Sequence, residues 1–190
     1  MRKKLIDPNA PSRGFTITEL LVVTLILGVL ASVSVSYFQR SWAKEQLKLS
    51  ARTVAALLED ARVTATQKIQ TCKLLLNDTN TSIDYAAGNT CAELPTLNIR
   101  TDVDYGANII LCSRISLDQA SVAFPCNAAH SNTSGTEITF TPRGTTVNDA
   151  LIKLAIVGQE QARCIAVVSP LGLIRQGLDN GSGCNFNIAF

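Results

Sequence analysis

Six cysteines, one histidine and a single carboxylate inside a long apolar run are the residues of this 190-residue chain whose types and spacing could do chemistry. The cysteines are Cys72, Cys91, Cys112, Cys126, Cys164 and Cys184. No Cys-x-x-Cys occurs, so zinc has no ligand set and the even count reads as disulfides of an exported domain. Fifteen pairings are open to six cysteines. Short-range order favours Cys72–Cys91, Cys112–Cys126 and Cys164–Cys184, each adding about 3 kcal/mol on the loop-entropy model. The histidine, His130, lies in Asn127-Ala128-Ala129-His130-Ser131-Asn132, a surface-loop composition. Asp102 and Asp104 could share a strand face, but no paired acid and base in a pocket is evident. Asp78-x-Asn80-x-Ser82-x-Asp84 alternates oxygen ligands like a calcium loop, yet Ile83 stands where the turn needs Gly and Asn89 where it needs a bidentate Glu. No metal, cofactor or catalytic residue is assigned, and the chain reads as a non-enzyme.

The carboxylate is Glu19, in Gly14-Phe15-Thr16-Ile17-Thr18-Glu19-Leu20-Leu21-Val22-Val23. It is the only charge between Phe15 and Phe38. An ionised side chain at membrane depth costs on the order of 2.5–3.5 kcal/mol at a helix centre and less near an end, which makes it a functional candidate by default. The preceding leader holds Arg2, Lys3, Lys4 and Arg13 against Asp7, a net +3. With +2 for the whole chain, the remainder sums to −1. From Thr71 onward seven Lys/Arg face ten Asp/Glu, so the C-terminal part is acidic, which weighs against nucleic-acid binding.

The elements that must carry these groups follow from punctuation and period. No Pro occurs between Pro11 and Pro95, and Gly28 is the only Gly from Phe15 to Ala87. Residues 15 to about 70 therefore read as one helix. Its first part, to Tyr37, is apolar all round and would reach roughly 35 Å, enough for a hydrocarbon core. The basic leader keeps the N-terminus cytoplasmic. Beyond it, Leu47, Ala51, Val54, Leu58, Ala61, Ala65 and Ile69 form a narrow stripe at steps of three and four. Arg40, Lys44, Lys48 and Arg52 make a basic ridge beside it, either a solvated flank or a contact for lipid phosphates or acidic patches on neighbours.

After Ile69 the texture is that of strands. Runs 72–76, 108–115, 137–141, 151–157 and 163–169 are β-branched or aromatic, and 162–169 with 171–175 reads as a hairpin. The polar stretch from Asn77 to Pro95 reads as a loop.

Gly14-Phe15 with Glu19 five residues on resembles the class III signal of type IV pilin-like proteins. A strand ending Thr141-Pro142-Arg143-Gly144 and the hairpin Val167-Val168-Ser169-Pro170-Leu171-Gly172-Leu173-Ile174-Arg175 resemble the GspH/FimT family of minor pilins and pseudopilins. The resemblance covers the first and last fifty residues; the middle diverges. It implies an α+β fold, a long N-terminal helix packed on a C-terminal antiparallel sheet domain. The boundaries are a cleaved leader 1–14, a transmembrane and assembly helix 15–37, its amphipathic continuation 38–70 and a periplasmic domain 71–190. It also implies cleavage after Gly14, methylation of Phe15 and an assembly role for Glu19. Implied partners are other pilins or pseudopilins, the prepilin peptidase and an inner-membrane assembly platform. A Cys164–Cys184 tie of the tail to a strand fits similar minor pilins.

Most of the family has a Pro late in the apolar segment where this chain has Ser36. Some FimT-like proteins bind DNA through Gly-Arg-x-Arg; here the positions read Gly172-Leu173-Ile174-Arg175, leaving Arg175 with Arg163, Lys153 and Arg143 as the candidate phosphate contacts. DNA capture is the first rival to the structural-subunit reading, and a helix-anchored periplasmic enzyme or sensor the second. An ordinary signal peptide cut after Ala31 is the plain alternative for the N-terminus, but it has no use for Glu19.

Overall fold

The computed structural model describes residues 14–86, 91, 93–103, 108–117, 126, 135–158, 161–181 and 183–187, except the side chains of 33–37, 39 and 40. His130, Asp104, Asn89 and the basic leader lie outside the described residues. The chain is α+β: a helix followed by antiparallel sheets. The chain divides into two compact units between Ser41 and Trp42.

Helix α1 covers Ile17–Lys68. Thr16 caps its start: the Thr16 Oγ1 accepts from the Glu19 N–H at 3.3 Å, the side-chain half of a Thr-x-x-Glu capping box. In the first unit the apolar side chains are exposed all round, from Leu20 to Leu30. Thr24 and Ser32 satisfy their hydroxyls on the Leu21 and Val29 carbonyls. Among the described residues no helix is long and apolar enough to cross a membrane; the helical side chains described without a break run from Ile17 to Ser32, about 24 Å at 1.5 Å per residue.

In the second unit, Leu47, Ala51, Val54, Leu58, Ala61 and Ala65 are buried on one stripe of α1. Ile69 is not, contrary to the periodic pattern. It is 77% exposed because the helix has already closed. The Gln70 N–H donates to the Ala65 carbonyl and the Ile69 N–H to the Thr66 carbonyl, with Ile69 at φ 53°. That is a Schellman ending with a β-branched residue in the left-handed position that normally takes Gly.

Strands β1 Cys72–Asn77, β2 Ser82–Tyr85, β3 Leu97–Asn98 and β5 Thr136–Phe140 form one sheet in the order β3-β2-β1-β5. Strand β2 corrects the loop read over 77–95. Its Ile83 is fully buried and pairs with Leu76, while its polar neighbours hid the short alternation. Strands β4 Ile109–Ile115, β6 Ala150–Ile156, β7 Ala162–Val168, β8 Leu173–Asp179 and β9 Cys184–Asn185 form the other, in the order β4-β6-β7-β8-β9. A four-residue helix, α2, spans Ile99–Asp102.

Both sheets send alternate side chains into one core with α1. Leu74, Ile138 and Phe140 come from the first, and Ile152, Leu154, Ile165 and Val167 from the second. The opposite face of the second sheet has its own cover: Leu151, Cys164 and Ala166 lie under Leu117, Cys184 and Phe186. Disulfides join Cys72 to Cys91, Cys112 to Cys126 and Cys164 to Cys184. The second and third act on that outer face, because Cys112, Lys153, Cys164 and Gly177 stand opposite one another across β4, β6, β7 and β8.

Candidate functional site

The N-terminal site is built from few residues. Gly14 has open space around it, and Phe15 is 81% exposed. Glu19 sits in the first turn of α1, exposed, where the positive end of the helix dipole favours a carboxylate. Its backbone is held by Thr16 while its side chain faces outward. The Thr16-x-x-Glu19 cap is a signal the sequence carries, and it gives Glu19 a local role beside any assembly role.

The two C-terminal motifs meet. Gly144, in Thr141-Pro142-Arg143-Gly144, has φ 73°, and Gly172, in the β7–β8 turn, has φ 64°. The Thr146 N–H donates to the Pro170 carbonyl at 3.0 Å, and the Ser169 N–H to Asp149 Oδ1 at 2.6 Å. Arg62 of α1 ties both turns to the helix. Its Nε donates to the Gly144 carbonyl at 3.0 Å and its Nη2 to the Leu171 carbonyl at 3.3 Å. Nothing in the sequence marked Arg62, whose partners lie 82 and 109 residues away. Its Nη1 also reaches Glu59 at 3.4 Å.

The four cations read as phosphate contacts are not brought together. Lys153 is buried on the outer face of the second sheet and forms an ion pair with Asp179. Arg163 pairs in register with Leu154 and so points to the opposite, helix-side face, where it feels Glu45 and Arg52. Burial, with Arg52 adding to it against the opposing pull of Glu45, lowers its pKa. Arg175 is exposed on β8 and Arg143 on the turn before Gly144. The structure thus corrects the candidate set: one member is neutralised in the interior and another faces away. A nucleic-acid groove needs several cations aligned along a backbone.

Asp179 is held by several donors. Burial pushes its carboxyl up, but hydrogen bonds from Lys153 and from the Gly181 and Gly183 N–H groups, with the Lys153 charge, outweigh this and hold it below the usual range. Its oxygen lies close to the sulfurs of Cys164 and Cys184, but those sulfurs are bonded to each other and offer no thiolate to a metal. In the calcium-like row, Asp78 turns inward instead: Ser113 donates to it from N at 3.0 Å and from Oγ at 2.6 Å. Asp102 accepts from the Asn98 N–H and the Thr101 hydroxyl, which hold its pKa down.

Residues 9–35 match the model of the prokaryotic N-terminal methylation motif. The N-terminal segment of the chain carries this methylation motif. The matched segment includes Gly14, Phe15 and Glu19. Among solved structures, the type IV minor pilin FimU of Pseudomonas aeruginosa is similar in two crystal forms. The first has a TM-score of 0.48 at 17% identity over 75% of this chain and 94% of that one. The second has 0.45 at 18% identity over 73% and 96%. No curated protein matches the sequence significantly.

Proposed function

We propose that this pilin-like chain is a minor pilin or pseudopilin of the GspH/FimT type, which is incorporated into, and primes, a type IV pilus or a type II secretion pseudopilus. The prepilin peptidase cuts between Gly14 and Phe15, and Phe15 is methylated. Residues 15–37 anchor the subunit in the inner membrane, 38–70 continue the helix, and 71–190 form the periplasmic domain. Other pilins and the assembly platform are its partners. No cofactor is needed.

The observation that carries this reading is the methylation-motif match with Glu19 inside it, one carboxylate on an otherwise uncharged apolar segment. The carboxylate neutralises the N-terminal amine of a neighbouring subunit, so two charges enter an apolar environment as a pair rather than singly. The burial of Lys153 and the opposed placement of Arg163 favour a structural subunit over a DNA-capturing one.

The reading is tested by Glu19→Ala in a strain whose major pilin is unaltered. Insertion should persist, since removing a charge favours it, while incorporation into sheared filaments should fall at least about tenfold, as expected when one partner of a buried charge pair is lost. Normal incorporation would refute the role given to Glu19. A Glu19→Gln variant keeps a polar side chain in the first turn, so a shared loss separates the charge from the cap.

A further inference from the structure

A groove of about 330 Å³ runs between α1 and the β2–β3 region. Leu57, Leu94 and Leu97 make it largely apolar, and Asp60 and Asp102 put two carboxylates on it. Tyr85 also lines it, with a buried hydroxyl oxygen that has no hydrogen-bond partner among the described residues. A buried hydroxyl left unpaired is unfavourable. Burial, with Asp60 beside it, pushes the Tyr85 phenol up to about 12, so it stays protonated at neutral pH. An apolar floor, two acids and an unpaired oxygen match one kind of group: a long aliphatic stem ending in a cation.

The C-terminal unit does not supply that cation itself. Every Lys and Arg from Trp42 onward lies among the described residues, and none of them lines the groove. The surface beside the groove points to a protein as the source. Trp42, Leu49, Ala56 and Val63 follow one another along α1 at seven-residue steps, and all four are exposed. At about 100° per residue they fall opposite the buried stripe from Leu47 to Ala65. Ala56 belongs both to this row and to the groove wall, so apolar surface continues out of the groove along the helix. A free amine would leave that row uncovered, and its few atoms would have to offset the loss of its own translational freedom. A side chain carried by a subunit lying along the row meets neither difficulty.

We propose that the groove receives a Lys or Arg side chain of a different pilin-type subunit lying along the Trp42–Val63 row, its aliphatic stem covering Leu57 and Leu94 and its charged head reaching Asp60 and Asp102. The proposal rests on the minor-subunit reading above, in which the neighbours of this chain are other pilins, and it names the chemistry by which one of them is held. The Tyr85 oxygen offers the incoming head a further acceptor.

The test uses the full chain in its own membrane, carrying a benzophenone amino acid at Val63, which is exposed beside Asp60 on α1 and outside the groove. Irradiation should give an adduct with a second protein that begins with a methylated pilin-type N-terminus, at a peptide containing Lys or Arg. Asp60→Lys in this chain, or exchange of that partner Lys or Arg for Glu, should cut the adduct at least about tenfold, since like charges facing across an interface are strongly disfavoured. The two changes together should restore it, which damage to either fold cannot do. An adduct with a second copy of this chain, with a protein lacking the pilin-type N-terminus, or at a peptide without Lys or Arg would overturn the proposal, as would no adduct or no restoration. The N-terminus of this chain is sequenced in the same sample. A mature Phe15 without the adduct removes only the groove contact, whereas an uncut leader removes the pilin reading.

Discussion

A Cβ placed on Gly172 would lie 2.5 Å from the carbonyl oxygen of Gly144. The two glycines belong to motifs 28 positions apart, and each has a positive φ. The turns can approach because Gly172 has no side chain there, whereas a Cβ on Gly144 would meet Thr66 Cγ2 of α1 at 3.0 Å; Arg62 binds both turns.

Gly172→Ala should then cost two terms at once, about 1–2 kcal/mol for the left-handed backbone and more for the clash with a backbone oxygen. Gly158→Ala is the matched control: φ there is 82°, but nothing lies within 4 Å of the added carbon. Urea unfolding of the two variants should show Gly172→Ala the less stable by at least about 1 kcal/mol. Equal losses would mean that the turns do not lean on each other.

The helix ending gives a change of opposite sign. Ile69 occupies the position where Gly is usual, and its side chain buries little. Ile69→Gly should raise stability by up to about 1 kcal/mol, relief of the left-handed penalty being partly offset by the extra freedom of Gly in the unfolded chain. The denaturant midpoint should rise with an unchanged slope. A fall would show that the exposed Ile69 side chain is holding something in place.

Asp179 sets a pH dependence. Its folded-state pKa lies below its unfolded value of about 3.9, so its contribution is complete above that value and is lost as pH falls through the lower, folded one. Acid titration of stability should show this loss in the wild-type chain and not in Asp179→Ala. At neutral pH that substitution should cost about 3–5 kcal/mol, because it leaves Lys153 buried without its carboxylate. Asp179→Ala together with Lys153→Met should recover much of the loss. A single variant as stable as wild type would contradict the buried pair.

Much of this was legible residue by residue. The stripe from Leu47 to Ala65 could be read because a helix packed on a sheet writes its core at steps of three and four. The hairpin of β7 and β8 showed through its flanking turn residues. The three disulfides join each cysteine to its neighbour along the chain. Two misreadings share a cause in local context: Ile69 kept the period one step beyond a helix already closed by its own backbone, and Ile83 was a single buried residue among polar ones. Lys153 looked like a surface cation because its burial depends on cross-strand register, which places it between Cys112 and Cys164 beneath two covalently tied segments. Arg62 could not be read at all, since its acceptors are backbone carbonyls of distant turns.

The most direct measurement on the central claim is the mass of the mature N-terminus. Intact-mass and peptide analysis of the protein from its own membrane should find a chain beginning at Phe15 and carrying one methyl group, and Gly14→Val should leave the leader attached. A chain beginning at Ser32, as an ordinary signal peptidase would leave it, or one retaining residues 1–14 in the wild type, would contradict the account.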